Sequence, residues 1–237
     1  MKKTLKERLE NSSIVKAYLN RRKVIRAKKK EQDILLIHKE GASVIQKISE
    51  TLLSRNIVFW LQYGTLLGYY REHDFIPHDD DMDMGAYIKD APAIYEALTK
   101  AGFERVRHYH VKNDWGLEEC YRYKGILIDF FYFKEEGDII YCYGFTPKSF
   151  LSYLFHIGNK IPFKVIRTDS PNYGFQKVEF KGAQVYVPNR TGEYLEAHYG
   201  PGFMTPDAQY NVFRTATDLH PYTYEEKPGY GVLKLKY

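Results

Sequence analysis

The residues best suited to chemistry are four aspartates packed into five positions, Asp79, Asp80, Asp81 and Asp83. Like charges at this density repel one another unless water screens them or a cation neutralises them. The alternating residues 81–87 predict a strand with one wet face, on which Asp81 and Asp83 stand about 6.6 Å apart. This spacing can bracket two divalent ions about 3.5–4 Å apart. Hard oxygen ligands select Mg²⁺ or Mn²⁺ over zinc.

A fifth aspartate, Asp129, lies inside the almost wholly apolar run ILIDFFYF at residues 126–133. That run predicts a buried central strand, where a carboxylate is costly unless it is paired or bound to metal. If this strand neighbours 81–87, Asp129 completes a cage of three carboxylates with Asp81 and Asp83. The alternative is a carboxylate satisfied by backbone donors or by an arginine such as Arg122.

Gly64 and Thr65 follow the strand predicted for residues 57–63 and precede a short helical piece, residues 66–71. A glycine between a strand and a helix lets backbone amides approach an anion, and the helix N-terminus favours the charge of that anion. The threonine hydroxyl adds a donor. The pair therefore indicates a phosphate site, although a simple tight turn would use the same residues.

The stretch QYGTLLGYYREHDFIPHDDDMDMG at residues 62–85 closely resembles the core motif of the LicD/fukutin family of phosphotransferases. That motif has a glycine-serine/threonine turn, Leu-Gly, an arginine, Ile-Pro and closely spaced aspartates. Residues 187–200 resemble the C-terminal element of the family, so the resemblance covers about residues 33–210. One departure is His78, where tryptophan is expected.

The resemblance implies the nucleotidyltransferase fold, with a mixed β-sheet flanked by helices, and it assigns the site residues. The metal-binding pair falls on Asp81 and Asp83, the upstream aspartate on Asp79 and the third acid on Asp129. All four are therefore expected to bind Mg²⁺ or Mn²⁺, and Asp81, Asp83 and Asp129 are expected to be catalytic. The remaining motif positions match Gly64, Thr65, Gly68 and Arg71, with Gly64, Thr65 and Arg71 expected at the donor phosphate.

The implied activity is metal-dependent transfer of an alcohol phosphate, such as phosphocholine, ribitol phosphate or glycerol phosphate, from a CDP-activated donor to a glycan hydroxyl. This chemistry serves the synthesis of cell-surface polysaccharides and glycoconjugates. A nucleotidyltransferase that moves NMP would use the same three acids and remains an alternative. An Asp-x-Asp glycosyltransferase is another alternative, although such enzymes usually place a dinucleotide-type α/β half where residues 1–56 look helical. A calcium-binding EF-hand loop starting at Asp79 would have Met84 and Asp90 where it needs glycine and glutamate.

The elements around these residues mix helices and strands, which indicates an α/β or α+β domain. A long helix is expected from Asp33 to about residue 55, and further helices at 92–100, 147–157 and 193–199. Strands are expected at 103–110, 117–123, 126–133 and 139–145, with a hairpin at 175–187 that turns at Lys181-Gly182. The sequence contains 22 tyrosines. Most are expected to pack, but residues 69–70 and 121–123 are expected to line donor or acceptor pockets.

The charge is distributed unevenly, with a balance of +10 for residues 1–30 and −5 for the rest of the chain. This pattern predicts a basic helical arm at residues 1–32 and a catalytic domain at 33–237. The arm could lie on an anionic membrane surface, whereas the body has no basic stripe of the kind that tracks nucleic acid. Two cysteines, no apolar run long enough to span a bilayer and no secretory signal favour a cytoplasmic protein, which the arm could hold peripherally at the inner face of the membrane.

Overall fold

The computed structural model describes residues 13–147, 161–207, 216, 218–223 and 225–233. The helix expected at 147–157 lies outside these residues, except for Pro147, which ends a strand. Within the described residues, helices flank a large mixed sheet, which confirms the expected fold class. No described helix is both long enough and apolar enough to cross a membrane.

Eleven strands of the described chain form one sheet in the order β10-β7-β11-β3-β4-β5-β2-β1-β9-β8, and β6 pairs with both β5 and β7. The strands are β1 Phe59–Leu61, β2 Met82–Tyr87, β3 Glu104–Val111, β4 Leu117–Tyr123, β5 Ile126–Glu136, β6 Ile139–Pro147, β7 Ile161–Pro171, β8 Phe175–Phe180, β9 Ala183–Pro188, β10 Leu219–Pro221 and β11 Gly229–Leu233.

The two acid-bearing strands, β2 and β5, are parallel neighbours at the centre of the sheet. Strand β1 lies antiparallel to β2 on its other side, and β4 lies antiparallel to β5. The central apolar strand expected at 126–133 is confirmed, and its buried residues include Ile128, Phe130 and Tyr132. The expectation that the strands carrying Asp83 and Asp129 are neighbours is confirmed as well.

The longest helix, α1, runs without a break from Ser13 to Leu53. The expectation that a helix starts at Asp33 is therefore wrong, because Asp33 lies within the helix and pairs with Lys29 one turn earlier. Helix α1 also crosses the boundary predicted between residues 32 and 33. Its C-terminal half buries an apolar stripe against the sheet, and that stripe includes Ile37, Val44, Ile45, Ile48 and Leu52.

The shorter helices position the ends of the strands. Helix α2, Tyr63–Leu67, continues into a π-helical turn at Gly68–Glu72, and a 3₁₀ turn at Ile88–Asp90 leads into α3, Ala91–Lys100. Helix α4 spans Thr191–Tyr199. The helices expected at 92–100 and 193–199 are confirmed to within two residues.

Several local expectations are also confirmed. The hairpin of β8 and β9 turns at Lys181 and Gly182, whose φ values of 52° and 74° favour glycine at the second position. Both cysteines, Cys120 and Cys142, are free and buried. Strands β7, β10 and β11 were not expected from the sequence.

Candidate active site

The acids come together because of the register between β2 and β5, in which Asp83 lies opposite Asp129. The side chain of Met82 approaches Gly41 of α1, and Met82 and Met84 are fully buried. Since side chains alternate along a strand, Asp81 and Asp83 project to the face away from α1. The predicted cluster of Asp81, Asp83 and Asp129 is therefore present on one face of the sheet.

Gly64 and Thr65 lie in the first turn of α2 and contact the acids directly. The Gly64 amide donates to Oδ2 of Asp83 at 3.2 Å, and the Asp83 amide donates to Oγ1 of Thr65 at 2.9 Å. A Cβ atom at position 64 would stand 2.4 Å from Oδ2 of Asp79. Only glycine leaves room for Asp79 here. The turn between β1 and α2 therefore packs directly against Asp79 and Asp83. Binding of a donor phosphate by Gly64 and Thr65 remains a prediction.

Burial and mutual repulsion make the ionised form of the clustered carboxyl groups unfavourable. Burial, followed by the charges of Asp129 and Asp79, raises the pKa of Asp81 to about 8. Burial and Asp81 hold the pKa of Asp83 well above its usual range. Burial and Asp80 raise the pKa of Asp79. Carboxyl groups in this state accept a cation readily, because the cation replaces the protons that otherwise relieve their repulsion.

The donor set fits a hard divalent cation. Carboxylate oxygens of Asp79, Asp80 and Asp81 lie within 4.8 Å of one another, so Asp80 joins the acids selected from the sequence. In the described part of the chain, Oδ1 of Asp129 is buried and has no hydrogen-bond partner. The clustered groups offer carboxylate oxygens, which suit Mg²⁺ or Mn²⁺. Metal binding by Asp79, Asp81, Asp83 and Asp129 remains a prediction.

The profile of the LicD/FKTN/FKRP nucleotidyltransferase domain matches residues 56–190. The chain belongs to this family. The match includes Gly64, Thr65 and all the clustered aspartates, whereas α4 begins directly after it, at Thr191.

Fukutin proteins are among the relatives. The chain is 32% identical to the ribitol-5-phosphate transferase FKTN of Mus musculus over 73% of this chain and 35% of the relative. It is 29% identical to the Homo sapiens protein over 80% of this chain and 38% of the relative. An uncharacterised protein of Rickettsia prowazekii is 28% identical over 67% of this chain and 56% of the relative. The chain thus spans little more than a third of the fukutin proteins.

Among solved structures, the lincomycin-bound lincosamide antibiotic adenylyltransferase LnuA shares 11% identity with this chain. The match covers 62% of this chain and 78% of that protein, with a TM-score of 0.38. This similarity is too low to support an inference.

An arginine does lie beside Asp129, but it is Arg107 of β3 and not Arg122, the example that the sequence offered. Arg107 Nη2 lies 3.8 Å from Asp129 Oδ1 and donates to Cys120 Sγ at 3.0 Å. Burial raises the pKa of Asp129, and Arg107 and Cys120 oppose that rise. Side-chain alternation along β3 could not predict which face Arg107 lies on, because the strand has an irregularity between Arg105 and Arg107.

A further acid near Asp129 is Glu118 of β4, which the sequence analysis also missed. Glu118 pairs with Phe131, two positions beyond the pair formed by Cys120 and Asp129, so it shares their face of the sheet. Burial, followed by the Asp129 charge, holds the pKa of Glu118 well above its usual range. In the sequence, Glu118 and Glu119 form an ordinary pair of acids whose orientations depend on the strand.

Arg71 is positioned by two contacts in the turn after α2. Its Nε donates to Oε1 of Glu72 at 2.7 Å, and its Nη1 donates to the Phe203 carbonyl at 2.9 Å. The side chain is 9% exposed. It lines a cavity of about 310 Å³ together with His78, Phe203 and Tyr199. Contact between Arg71 and a donor phosphate remains a prediction.

Two further cavities complete the surroundings of the site. One of about 340 Å³ is lined by Tyr63, Glu118 and Phe131. The other, of about 440 Å³, includes Tyr69 and Tyr70 in its wall. Contact between these tyrosines and a donor or acceptor remains a prediction.

The expectation that residues 121–123 line a pocket is wrong for Tyr121. That side chain is fully buried, and its hydroxyl donates to Oε2 of Glu119 at 2.6 Å. Tyr123 stacks on Phe103 with ring centroids 4.3 Å apart.

Proposed function

We propose that this protein transfers an alcohol phosphate from a CDP-activated donor to a glycan hydroxyl. The observation that carries the proposal is the apposition of Asp83 and Asp129 in register, beside the Gly64-Thr65 turn, within a LicD-family domain. The fukutin relatives named as ribitol-5-phosphate transferases support a phosphotransferase. Since the chain spans only part of those proteins, the donor and acceptor are part of the proposal.

Phosphoryl transfer needs positioning and charge neutralisation more than covalent help from a protein. The acceptor oxygen forms a new bond to the alcohol-bearing phosphorus, the bond from phosphorus to the CMP oxygen breaks, and CMP leaves with the electron pair. Asp129 receives the proton of the acceptor hydroxyl, which is general-base catalysis. Gly64, Thr65 and Arg71 hold the donor phosphates.

Asp79, Asp81, Asp83 and Asp129 would hold Mg²⁺ or Mn²⁺, which, when bound, neutralises charge on the transferred phosphate. The protein contributes the fixed orientation of these carboxylates. Asp79 and Asp81 lie just before β2 and Asp83 lies on it, whereas Asp129 comes from the neighbouring strand β5. Gly64 and Thr65 hold Asp83 in place.

We also propose that the basic part of α1 places the protein on an anionic membrane surface near its acceptor. Residues 21–30 of this helix are almost all exposed, including the apolar side chains Val24 and Ile25. The helix passes the active site, because Lys30 Nζ lies 3.0 Å from Asp80 Oδ1. A surface that combines basic and apolar side chains suits the interface of an anionic bilayer.

The test is product analysis by ³¹P NMR with CDP-ribitol, CDP-choline, CDP-glycerol and CTP, each with Mg²⁺. A CDP-alcohol should release CMP, and chelator or Asp81→Asn should abolish that release. Pyrophosphate released from CTP would instead show transfer of NMP. Release of a nucleoside diphosphate from a nucleotide sugar would show a glycosyltransferase. CMP release that survives chelator would contradict the metal-dependent mechanism.

A further inference from the structure

A cavity of about 340 Å³ is lined by residues of β4, β5, β6 and β7 and of helices α2 and α4, and Glu118 and Phe131 in its wall lie on the face of the sheet that bears the acids. We propose that this cavity binds the acceptor as a neutral, polyhydroxylated sugar residue, with Glu118 and His198 as ligands of its hydroxyl groups. This inference rests on the proposed transfer reaction and assigns its second substrate to a place in the fold.

The order of strands gives the two substrates opposite sides of the acid cluster. The order is β4-β5-β2-β1, so Glu118 on β4 and the Gly64-Thr65 turn after β1 flank Asp129 and Asp83 from opposite directions. In phosphoryl transfer the attacking and leaving oxygens lie roughly in line through phosphorus. A donor held at Gly64 and Thr65 therefore receives its acceptor from the side of Asp129 and Glu118. The two cavities adjoin each other, since Tyr199 lines both and Tyr63, next to Gly64, lines the one of about 340 Å³.

The charges around the cavity favour a neutral ligand. None of the described residues in its wall is lysine or arginine, whereas Glu118 is in the wall, and Asp218 lies directly behind His198. A phosphate-bearing donor would therefore meet no lysine or arginine among the described residues of this wall. The cavity of about 310 Å³ differs, since Arg71 and His78 line it together with one acid, Asp207. We therefore place the donor at that cavity.

The wall combines aromatic faces with a small number of fixed polar groups. The Tyr63 ring packs edge-on to Phe131 with centroids 4.8 Å apart, and it lies 4.9 Å from the His198 ring. Aromatic faces suit the apolar faces of sugar rings, and a few placed polar groups fix the orientation of a ligand. The volume lies near the lower end of the range of roughly 300–1,000 Å³ found for small-molecule sites.

The Asp218 carboxylate holds the His198 ring in place, and one of its oxygens can still accept a hydrogen bond. Nδ1 of His198 and Oδ2 of Asp218 are 2.6 Å apart, and both side chains are 7% exposed. In the described chain, the other oxygen, Oδ1 of Asp218, is buried without a hydrogen-bond partner. Because Nδ1 is engaged, Nε2 is the ring atom left to meet a ligand hydroxyl.

Two glycines allow each cavity to be filled separately. Gly144 lines the cavity of about 340 Å³, and Gly202 lines the cavity of about 310 Å³. A Cβ atom at either glycine meets nothing within 4 Å. Gly144→Leu and Gly202→Leu should therefore fold, and thermal unfolding of each variant checks this point.

The experiment is saturation-transfer NMR with CTP and a panel of methyl glycosides at millimolar concentration, in the presence of Mg²⁺. At least one glycoside should give a saturation-transfer signal with the wild type and with Gly202→Leu. With Gly144→Leu that signal should be at least ten-fold weaker. The CTP signal should be retained with the wild type and with Gly144→Leu and should be weakened with Gly202→Leu. His198→Gln should weaken the glycoside signal several-fold and leave the CTP signal unchanged.

Absence of a glycoside signal from the whole panel would overturn the proposal, and so would a signal that survives Gly144→Leu. Loss of the CTP signal in Gly144→Leu would assign the cavity to the donor instead. These measurements need no turnover, so they remain informative if no CMP is released. A failure of glycoside binding likewise leaves the assay of donor cleavage intact.

Discussion

The backbone amide of Gly64 donates a hydrogen bond to Oδ2 of Asp83, and the N···O distance is 3.2 Å. The same glycine leaves space for the carboxylate of Asp79, which would stand 2.4 Å from a Cβ atom at position 64. One small residue thus fixes the distance between α2 and two acids of the cluster.

Gly64→Ala should therefore displace Asp79 and weaken divalent-cation binding at least ten-fold while the fold persists, because a carboxylate tip can move aside. Isothermal titration with Mn²⁺ measures the affinity, and thermal unfolding in chelator measures the stability. Gly68→Ala is the matched comparison. Its Cβ would stand 2.6 Å from the Asp74 carbonyl oxygen, which belongs to the backbone, so that variant should lose stability by about 1–3 kcal/mol.

Equal Mn²⁺ affinity in Gly64→Ala and the wild type would contradict the contact with Asp79. A loss of stability as large as that of Gly68→Ala would show that position 64 acts through the fold rather than through the acid.

The sequence predicted the parts of the site that depend on local spacing. Alternation predicted the shared face of Asp81 and Asp83, and the apolar run around Asp129 predicted a central strand. Arg107 could not be predicted as the neighbour of Asp129, because the two lie on strands separated by β4, and the irregularity between Arg105 and Arg107 changes the face. Register across a sheet depends on the whole fold and not on a window of residues.

Helix α1 shows the opposite error, in which a local signal was given too much weight. Asp33 resembles a helix cap, but residues on both sides of it are helical, and Asp33 pairs with Lys29 across one turn. Strands β10 and β11 were missed because they are short and lie in a tail rich in proline and glycine, whereas β7 was missed although it has 11 residues. Pairing with neighbouring strands stabilises them.

The basic part of α1 should bind vesicles that contain anionic lipid. Each basic residue near such a surface contributes about 1 kcal/mol, so neutralising four should weaken binding by about 4 kcal/mol, or roughly a thousand-fold. The measurement is vesicle co-sedimentation at low salt. The four changes to glutamine are at Arg21, Lys23, Arg26 and Lys28, which are all exposed.

The matched control neutralises four exposed lysines on the body of the protein, and it should keep wild-type vesicle binding. These are Lys89, Lys112, Lys164 and Lys177. If both sets of substitutions reduce binding equally, the effect belongs to total charge and the proposed role of α1 is wrong.

The metal-free protein should become less stable as the pH rises. The pKa of Asp81 is about 8 in the folded protein, chiefly because of burial and then because of Asp129, whereas an unfolded aspartate titrates near about 3.9. The folded state therefore binds a proton that the unfolded state releases. The stabilisation from this proton is complete below about pH 4 and is lost as the pH rises to about 8. Thermal unfolding in chelator should show a melting temperature that falls across this range.

Asp81→Asn removes this ionisation, so its melting temperature in chelator should vary less with pH and should exceed that of the wild type near pH 8. Added Mg²⁺ should raise the melting temperature of the wild type most at high pH, since binding to the native state stabilises it. A wild-type melting temperature that rises between about pH 5 and about pH 8 would have the wrong sign for this account.

The last prediction separates the roles of Asp83 and Asp129, which lie opposite each other in register. Asp83→Asn removes one charge from the cluster but keeps an oxygen that can accept the Gly64 amide, so Mn²⁺ affinity should fall and excess Mn²⁺ should partly restore turnover. Asp129→Asn also removes the proton acceptor, a role worth roughly 10²–10⁴-fold in rate. Excess metal cannot replace that acceptor, so Asp129→Asn should stay inactive at every Mn²⁺ concentration while CTP binding survives. Turnover titrated with Mn²⁺ for the wild type and both variants makes the comparison, and full activity in Asp129→Asn would remove this residue from the mechanism.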